Sequence, residues 1–182
     1  MEYTFDILRH APEDLVFLDE TSVELHMIPT YGRSPRGIRA WGTQYTKKRE
    51  KYSLIGVVTS NGFQAPMITS GSIDTSAFKV YLNEFLLPTI KPGQVLVMDN
   101  YSVHKSKEIQ EYLLSKQIPV LYLPPYSPHL NPIELTWSKL KGFLRASKAT
   151  TYKKLIKSLK IGFNQIKPSD CRNWFKHCGI MV

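Results

Sequence analysis

Two apolar runs in this 182-residue chain each arrive at an aspartate: VFLD at Asp19 and VLVMD at Asp99. A third acid, Glu134, follows a proline-rich stretch in Asn-Pro-Ile-Glu, with 34 residues between it and Asp99. A carboxylate at the rim of a buried strand is costly unless it is paired, hydrogen-bonded or bound to a metal. Either aspartate alone is equally a cap for the turn that follows it. Glu134 alone reads first as helix capping: Asn131 suits the N-cap, Pro132 the first helical position, and an acid at the third resembles a capping box. Taken together, the three are hard oxygen donors suited to Mg²⁺ or Mn²⁺. In phosphodiester chemistry one such ion activates the attacking water or 3′-hydroxyl, and a second, about 4 Å away, stabilises the leaving oxygen. The residue types therefore point to a magnesium nuclease or phosphotransferase.

The net charge of +9 calls for an anionic partner. Its distribution is uneven. Residues 1–27 carry seven acids against Arg9 alone, whereas residues 33–51 carry seven bases against Glu50 alone. Residues 135–169 hold nine Lys or Arg and no acid. Each basic cluster by itself is equally a solvated face; two of them beside a small set of acids suggest a phosphate-backbone groove around a metal site. Hydrophobic content of 42% fits a folded globular chain long enough for one domain and too short for two comfortable ones. No apolar run approaches membrane-spanning length and the first residues lack signal-peptide features, so no membrane partner is expected. Cys171 and Cys178 are read as reduced thiols of a cytoplasm-like compartment.

Several elements must position the acids. Leu15–Glu20 is a buried strand ending in acids, with 23–28 as a second short strand. A long basic loop covers 29–48, and strands at 51–59 and 63–69 meet at Asn61-Gly62, a hairpin signal. A helix over 75–87 stops at Pro88, and a strand over 94–98 leads into Asp99. Then come a helix over 105–116, a strand over 118–123, a proline-rich loop, and basic helices from about Pro132 to Ala146 and over 152–166, with a short one near the end. This order is α/β, a mixed sheet with helices on its faces, where ligands gather beyond the strand ends.

FLDET at 17–21, MDNYSVHKS at 98–106 and LPPYSPHLNPIELTWSKLK at 123–141 resemble the Asp-Asp-Glu catalytic domain of mariner-type transposases, nearest to their bacterial insertion-sequence branch. The resemblance spans about 14–147. It implies a ribonuclease H-like fold with a mixed five-stranded sheet, forming one catalytic domain over 1–182 with a basic helical segment from about 148. It implies catalytic and metal-holding roles for Asp19, Asp99 and Glu134, with two Mg²⁺ or Mn²⁺ ions per site. Asp19 would bridge both ions, while Asp99 and Glu134 would each hold one. The activity implied is metal-dependent DNA cleavage and strand transfer in cut-and-paste transposition.

Glu20, Asn100, His104 and Asn131 fall within the matched motifs and are candidates to orient ligands, water or phosphate. Local turn hydrogen bonding and helix entry are the favoured account of Asn100 and His104. Arg33, Arg36, Arg39, Lys47, Lys48, Arg49, Lys139, Lys141, Arg145, Lys153, Lys154 and Lys157 are candidates for phosphate contacts, because arginine and lysine suit phosphate oxygens. Trp137 reads as core rather than as a DNA contact. Relatives carry N-terminal helix-turn-helix modules, for which the eighteen residues before Asp19 leave no room. Transposon-end and target DNA, a homodimer in the active complex and a separate DNA-binding polypeptide are the implied partners, in a bacterial cytoplasm and on its nucleoid. Two other readings remain: a ribonuclease H-like nuclease acting on hybrid or branched substrates, and a silent remnant that binds nucleic acid without cutting.

Overall fold

The computed structural model describes residues 6–7, 9–29, 31–42 and 50–181. Its strands are β1 (Leu15–Glu24), β2 (Lys51–Thr59), β3 (Gly62–Ser70), β4 (Val95–Met98) and β5 (Val120–Tyr122). They form one sheet in the order β3-β2-β1-β4-β5. β2 runs antiparallel to both β1 and β3, whereas β1, β4 and β5 run parallel. The sequence explains this mixture. Leu15–Leu18 and Val95–Met98 are continuous apolar runs, as strands covered on both faces require. β2 and β3 need only a tight turn between them.

The helices are α1 (Thr75–Tyr81), continued by a π-helical turn (Leu82–Leu86), α2 (Lys107–Ser115), α3 (Pro132–Ser147), α4 (Tyr152–Asn164) and α5 (Pro168–His177). They cover both faces of the sheet. Leu15 and Phe17 of β1 share a core with Trp137, Leu140 and Leu144 of α3, Leu155 and Leu159 of α4, and Phe175 of α5. Val16 and Leu18, which alternate with them, share the opposite core with Phe78, Tyr81, Ile109 and Leu113. Fully burying each such side chain stabilises the fold by about 1.5–3 kcal/mol. β1 is thus gripped from both sides, and it carries the first acid. The expected mixed five-stranded sheet flanked by helices is what the chain forms.

Several element boundaries differ from expectation: the strand expected over 118–123 is confined to Val120–Tyr122, and the helix expected over 152–166 ends at Asn164. Residues 23–28 form no second strand: β1 continues to Glu24 because β2 pairs with it as far as Glu24↔Lys51, and the chain then turns at His26, whose φ is 57°. The hairpin turn is Ser60-Asn61, with Gly62 already paired to Thr59. The Thr59 side chain closes it, accepting from Asn61 N–H at 3.2 Å and donating to the Gly62 carbonyl at 3.3 Å. The helix expected over 75–87 changes to π-helical pitch at Leu82. The helix expected from Lys105 begins at Lys107, because turns bonding Lys105 N–H to Tyr101 O and Ser106 N–H to Val103 O precede it.

Candidate active site

β4 ends at Met98 and Asp99 follows at once. β1 does not end at Asp19, as the sequence suggested; the aspartate lies mid-strand. Its position is nonetheless a rim. β1 and β4 pair through Phe17↔Val97, and β4 and β5 through Met98↔Tyr122, so two residues further along Asp19 stands level with Asp99, where the parallel ladder has stopped. The alternation that sends Phe17 toward α3 sends Asp19 the same way, and Glu20 toward α1 and α2.

Glu134 reaches the same place from α3. Asn131 occupies the N-cap and Pro132 the first turn, which puts Glu134 at the third helical position. The capping box is not formed. Asn131 makes no side-chain cap bond, and its Oδ1 is buried without a partner. Glu134 is exposed, and with Asp19, Asp99, Asn100 and Asn131 it lines a cleft of about 430 Å³ walled by Tyr101 and the Leu123–Pro128 loop. A second cleft of about 320 Å³ adjoins it across Asp19, Asp99 and Tyr101, lined also by Glu20, Thr21, Ser22, Ser53 and Ser72.

The three acids experience different surroundings. Asp19 is only 8% exposed. Burial, then the charges of Glu134 and Glu20, push its carboxyl up to about 8, although it accepts the Glu20 N–H at 2.7 Å. Asp99 goes the other way. Burial acts to raise it, but hydrogen bonds from His104 and from Tyr101 N–H (2.9 Å) outweigh that and hold it below the usual carboxylate range. Among the described residues neither Asp19 nor Glu134 is paired with a lysine or arginine, and no three His, Cys, Asp or Glu side chains are grouped so as to hold a metal ion. The acids are an open set of oxygen donors in which Glu134 and Glu20 act against Asp19, while His104 offsets the charge of Asp99.

His104 braces this set from behind. It is wholly buried, with Nδ1 2.8 Å from Asp99 Oδ1 and Nε2 3.0 Å from Glu20 Oε1. Burial pulls its pKa down, yet the two carboxylates push it up further, to about 9. Both ring nitrogens are therefore protonated at neutral pH, and both donate. Phe78 packs on the ring at 4.7 Å, and Tyr122 donates to the His104 carbonyl. Asn100 donates to the Leu123 carbonyl, tying the ends of β4 and β5 together. His104→Asn removes one of the two bonds, and calorimetry of Mn²⁺ binding is expected to show affinity about 10–100-fold weaker, the usual cost of losing such a support. Unchanged affinity would mean that Asp99 is held without it.

The basic residues divide by position. Glu134, Lys141 and Arg145 fall on one stripe of α3 at spacings of seven and four, and the charges of Glu134 and Asp19 act on Lys141, whose pKa is lowered by burial. Lys139 lies off that stripe and is bound to Asp170 of α5 at 2.6 Å. Lys153, Lys154, Lys157 and Lys160 are exposed on α4, opposite its buried Leu155 and Leu159. Arg33, Arg36 and Arg39 are exposed on a loop, Arg39 lying 5.0 Å over the Trp41 ring. Lys47, Lys48 and Arg49 lie outside the described residues. Trp137 is core, at 1% exposure. Sequence reasoning missed Tyr101, Tyr126 and the second cleft. The one available signal was an aromatic residue set among prolines just before Glu134.

Solved structures share this architecture. The chain superposes on the Mos1 strand transfer complex with a TM-score of 0.77 at 18% identity, covering 97% of this chain and 56% of that one. On the catalytic domain of Mos1 mariner transposase the TM-score is 0.71 at 15% identity, covering 98% of this chain and 85% of that one. The fold is ribonuclease H-like. The DDE superfamily endonuclease family matches residues 14–156, and the chain belongs to it. It is also similar to the insertion element IS630 uncharacterized 39 kDa protein of Shigella sonnei, at 28% identity over 160 residues, covering 82% of this chain and 45% of that protein. The chain thus spans about half the length of that relative. No helix among the described residues is long and apolar enough to cross a membrane.

Proposed function

We propose that the chain is the catalytic core of a cut-and-paste DNA transposase, with Asp19, Asp99 and Glu134 as the residues that carry the reaction. The observation behind this reading is the convergence of three acids from β1, β4 and α3 on one open cleft. Membership of the DDE endonuclease family supports it, as does likeness to transposase structures solved with Mg and with Mn. The donor set fits such an ion: all oxygen, mutually repelling, and not neutralised by a lysine or arginine partner. Asp19, Asp99 and Glu134 would hold the ions. Bound there, Mg²⁺ or Mn²⁺ would supply Lewis-acid activation of the attacking oxygen and charge neutralisation at the phosphate.

The residues of the chain do the rest. His104 holds Asp99 and Glu20 in place, Asn100 fixes the strand ends, and Asn131 sets the start of α3 from which Glu134 projects. Arg33, Arg36, Arg39, Lys141, Arg145 and the lysines of α4 offer charge to the DNA backbone. In the first step water attacks the phosphorus at the transposon end and the P–O3′ bond breaks, freeing a 3′-hydroxyl and leaving a 5′-phosphate. In the second, that hydroxyl attacks a target phosphodiester and displaces the target's 3′-oxygen. A homodimer in the active complex, end recognition by residues or polypeptides beyond this chain, and a nucleoid location belong to the same proposal. Product analysis tests it. Duplex DNA is expected to be cut with Mg²⁺ or Mn²⁺ to 3′-hydroxyl and 5′-phosphate ends; cutting confined to the RNA strand of a hybrid would reassign the chain to a ribonuclease.

A further inference from the structure

The cleft that holds the acids also has an aromatic rim, which carboxylate chemistry does not require. Tyr126 is 100% exposed and stands in the left-handed region, at φ 56°. A non-glycine residue pays for that conformation, and such strain persists where the surroundings enforce it, most often at functional sites. Here Pro124, Pro125 and Pro128 stiffen the segment. The ring is held in water although burial would favour it, at the edge of the same cleft as Asp19, Asp99 and Glu134. Tyr101 bounds that cleft as well, 46% exposed, with its ring edge on His104 at 5.7 Å.

We propose that Tyr126 is a base-stacking residue that receives an unpaired nucleobase of the strand entering the acid cleft, with Tyr101 bounding the space. This rests on the reading of the chain as a DNA-cutting enzyme and adds a substrate preference to it. A cleft rich in carboxylates repels phosphates, so an uncharged attraction that locates the strand is valuable there. Base–aromatic stacking supplies one, and it tolerates any sequence because every base has a π-face. The consequence is selectivity for DNA that is frayed, flipped or single-stranded next to the scissile phosphate.

The test uses a duplex with a short 3′ overhang carrying 2-aminopurine, titrated in Ca²⁺ with the wild-type chain, Tyr126→Ala, Tyr126→Phe and Tyr126→Trp. Stacking predicts that the wild type changes the probe's fluorescence. It also predicts that Tyr126→Ala binds the overhang about 5- to 150-fold more weakly, the range of one base–aromatic stack. The Phe and Trp variants retain both effects, and blunt duplex binds all four proteins alike. Melting temperatures of the four proteins should coincide, since the ring buries nothing. Equal overhang binding by wild type and Tyr126→Ala would overturn the stacking role while leaving the DNA-cutting reading intact. Absence of DNA binding by the wild type would overturn both.

Discussion

Asp19→Asn should remove metal-dependent DNA cutting and at the same time stabilise the metal-free protein. The loss is expected to be roughly a thousandfold or more, about 4 kcal/mol of transition-state stabilisation, because an amide is a poor ligand where a shared carboxylate is needed. The gain follows from the proton balance. The folded carboxyl is pushed up to about 8 by burial and by Glu134 and Glu20, against about 4 in an unfolded chain. Between those values the folded state holds a proton that the unfolded state has lost, so stability falls as pH rises through that window. His104 adds to the same trend: raised to about 9, it contributes stability that is full below about 6.5 and is lost as pH climbs through 9. Thermal melts without metal should therefore drop from pH 6 to pH 9 in the wild type, and less steeply in Asp19→Asn. Divalent ions compete with the Asp19 proton, so their affinity should rise over the same range. A variant that melts no higher than wild type at pH 8 would contradict this account of the buried carboxylate.

Trp137→Ala should be the most damaging single change to the fold. Trp137 is 1% exposed and meets Phe63 edge-on at 5.4 Å, while Phe63 lies tilted against Phe163 of α4 at 5.1 Å. The Phe63 ring also lies over Gly56, where a Cβ would come within 2.5 Å of it, and Gly56 is the β2 partner of Asp19. The indole thus joins α3 to the sheet directly beneath the acids. Removing it leaves a cavity, with an expected cost of about 3–5 kcal/mol and a melting temperature lower by roughly 6–20 °C. Normal stability combined with weakened DNA binding of unchanged salt dependence would instead make Trp137 a DNA contact.

The acids were legible in the sequence because each sits at a local signal: the end of an apolar run for Asp19 and Asp99, and a helix-start pattern for Glu134. The sheet was legible from the continuous runs at 15–18 and 95–98 and the turn after Thr59. What the sequence concealed depended on pairing across the chain. β1 outruns Asp19 because β2 supplies its partner, and no local pattern announces that. Asn131 looked like a side-chain cap, yet its amide makes no such bond, because a cap requires a rotamer that composition does not specify. Lys139 and Lys141 are alike in sequence; the turn of α3 sends one to Asp170 and the other toward Glu134. Tyr126 was hidden because exposure belongs to the folded surface; His104 was a candidate, but its two-sided bonding was hidden because one partner, Glu20, lies 84 residues away in the chain.

The most direct measurement is cleavage of an end-labelled duplex by the wild-type chain and by Asp99→Ala, each with Mg²⁺, with Mn²⁺ and with chelator, after both are shown to be folded. The account predicts nicking by the wild type in either metal, none with chelator, and none by the variant. Nicking that persists in Asp99→Ala, or survives the chelator, would contradict the assignment of the three acids as the catalytic metal site.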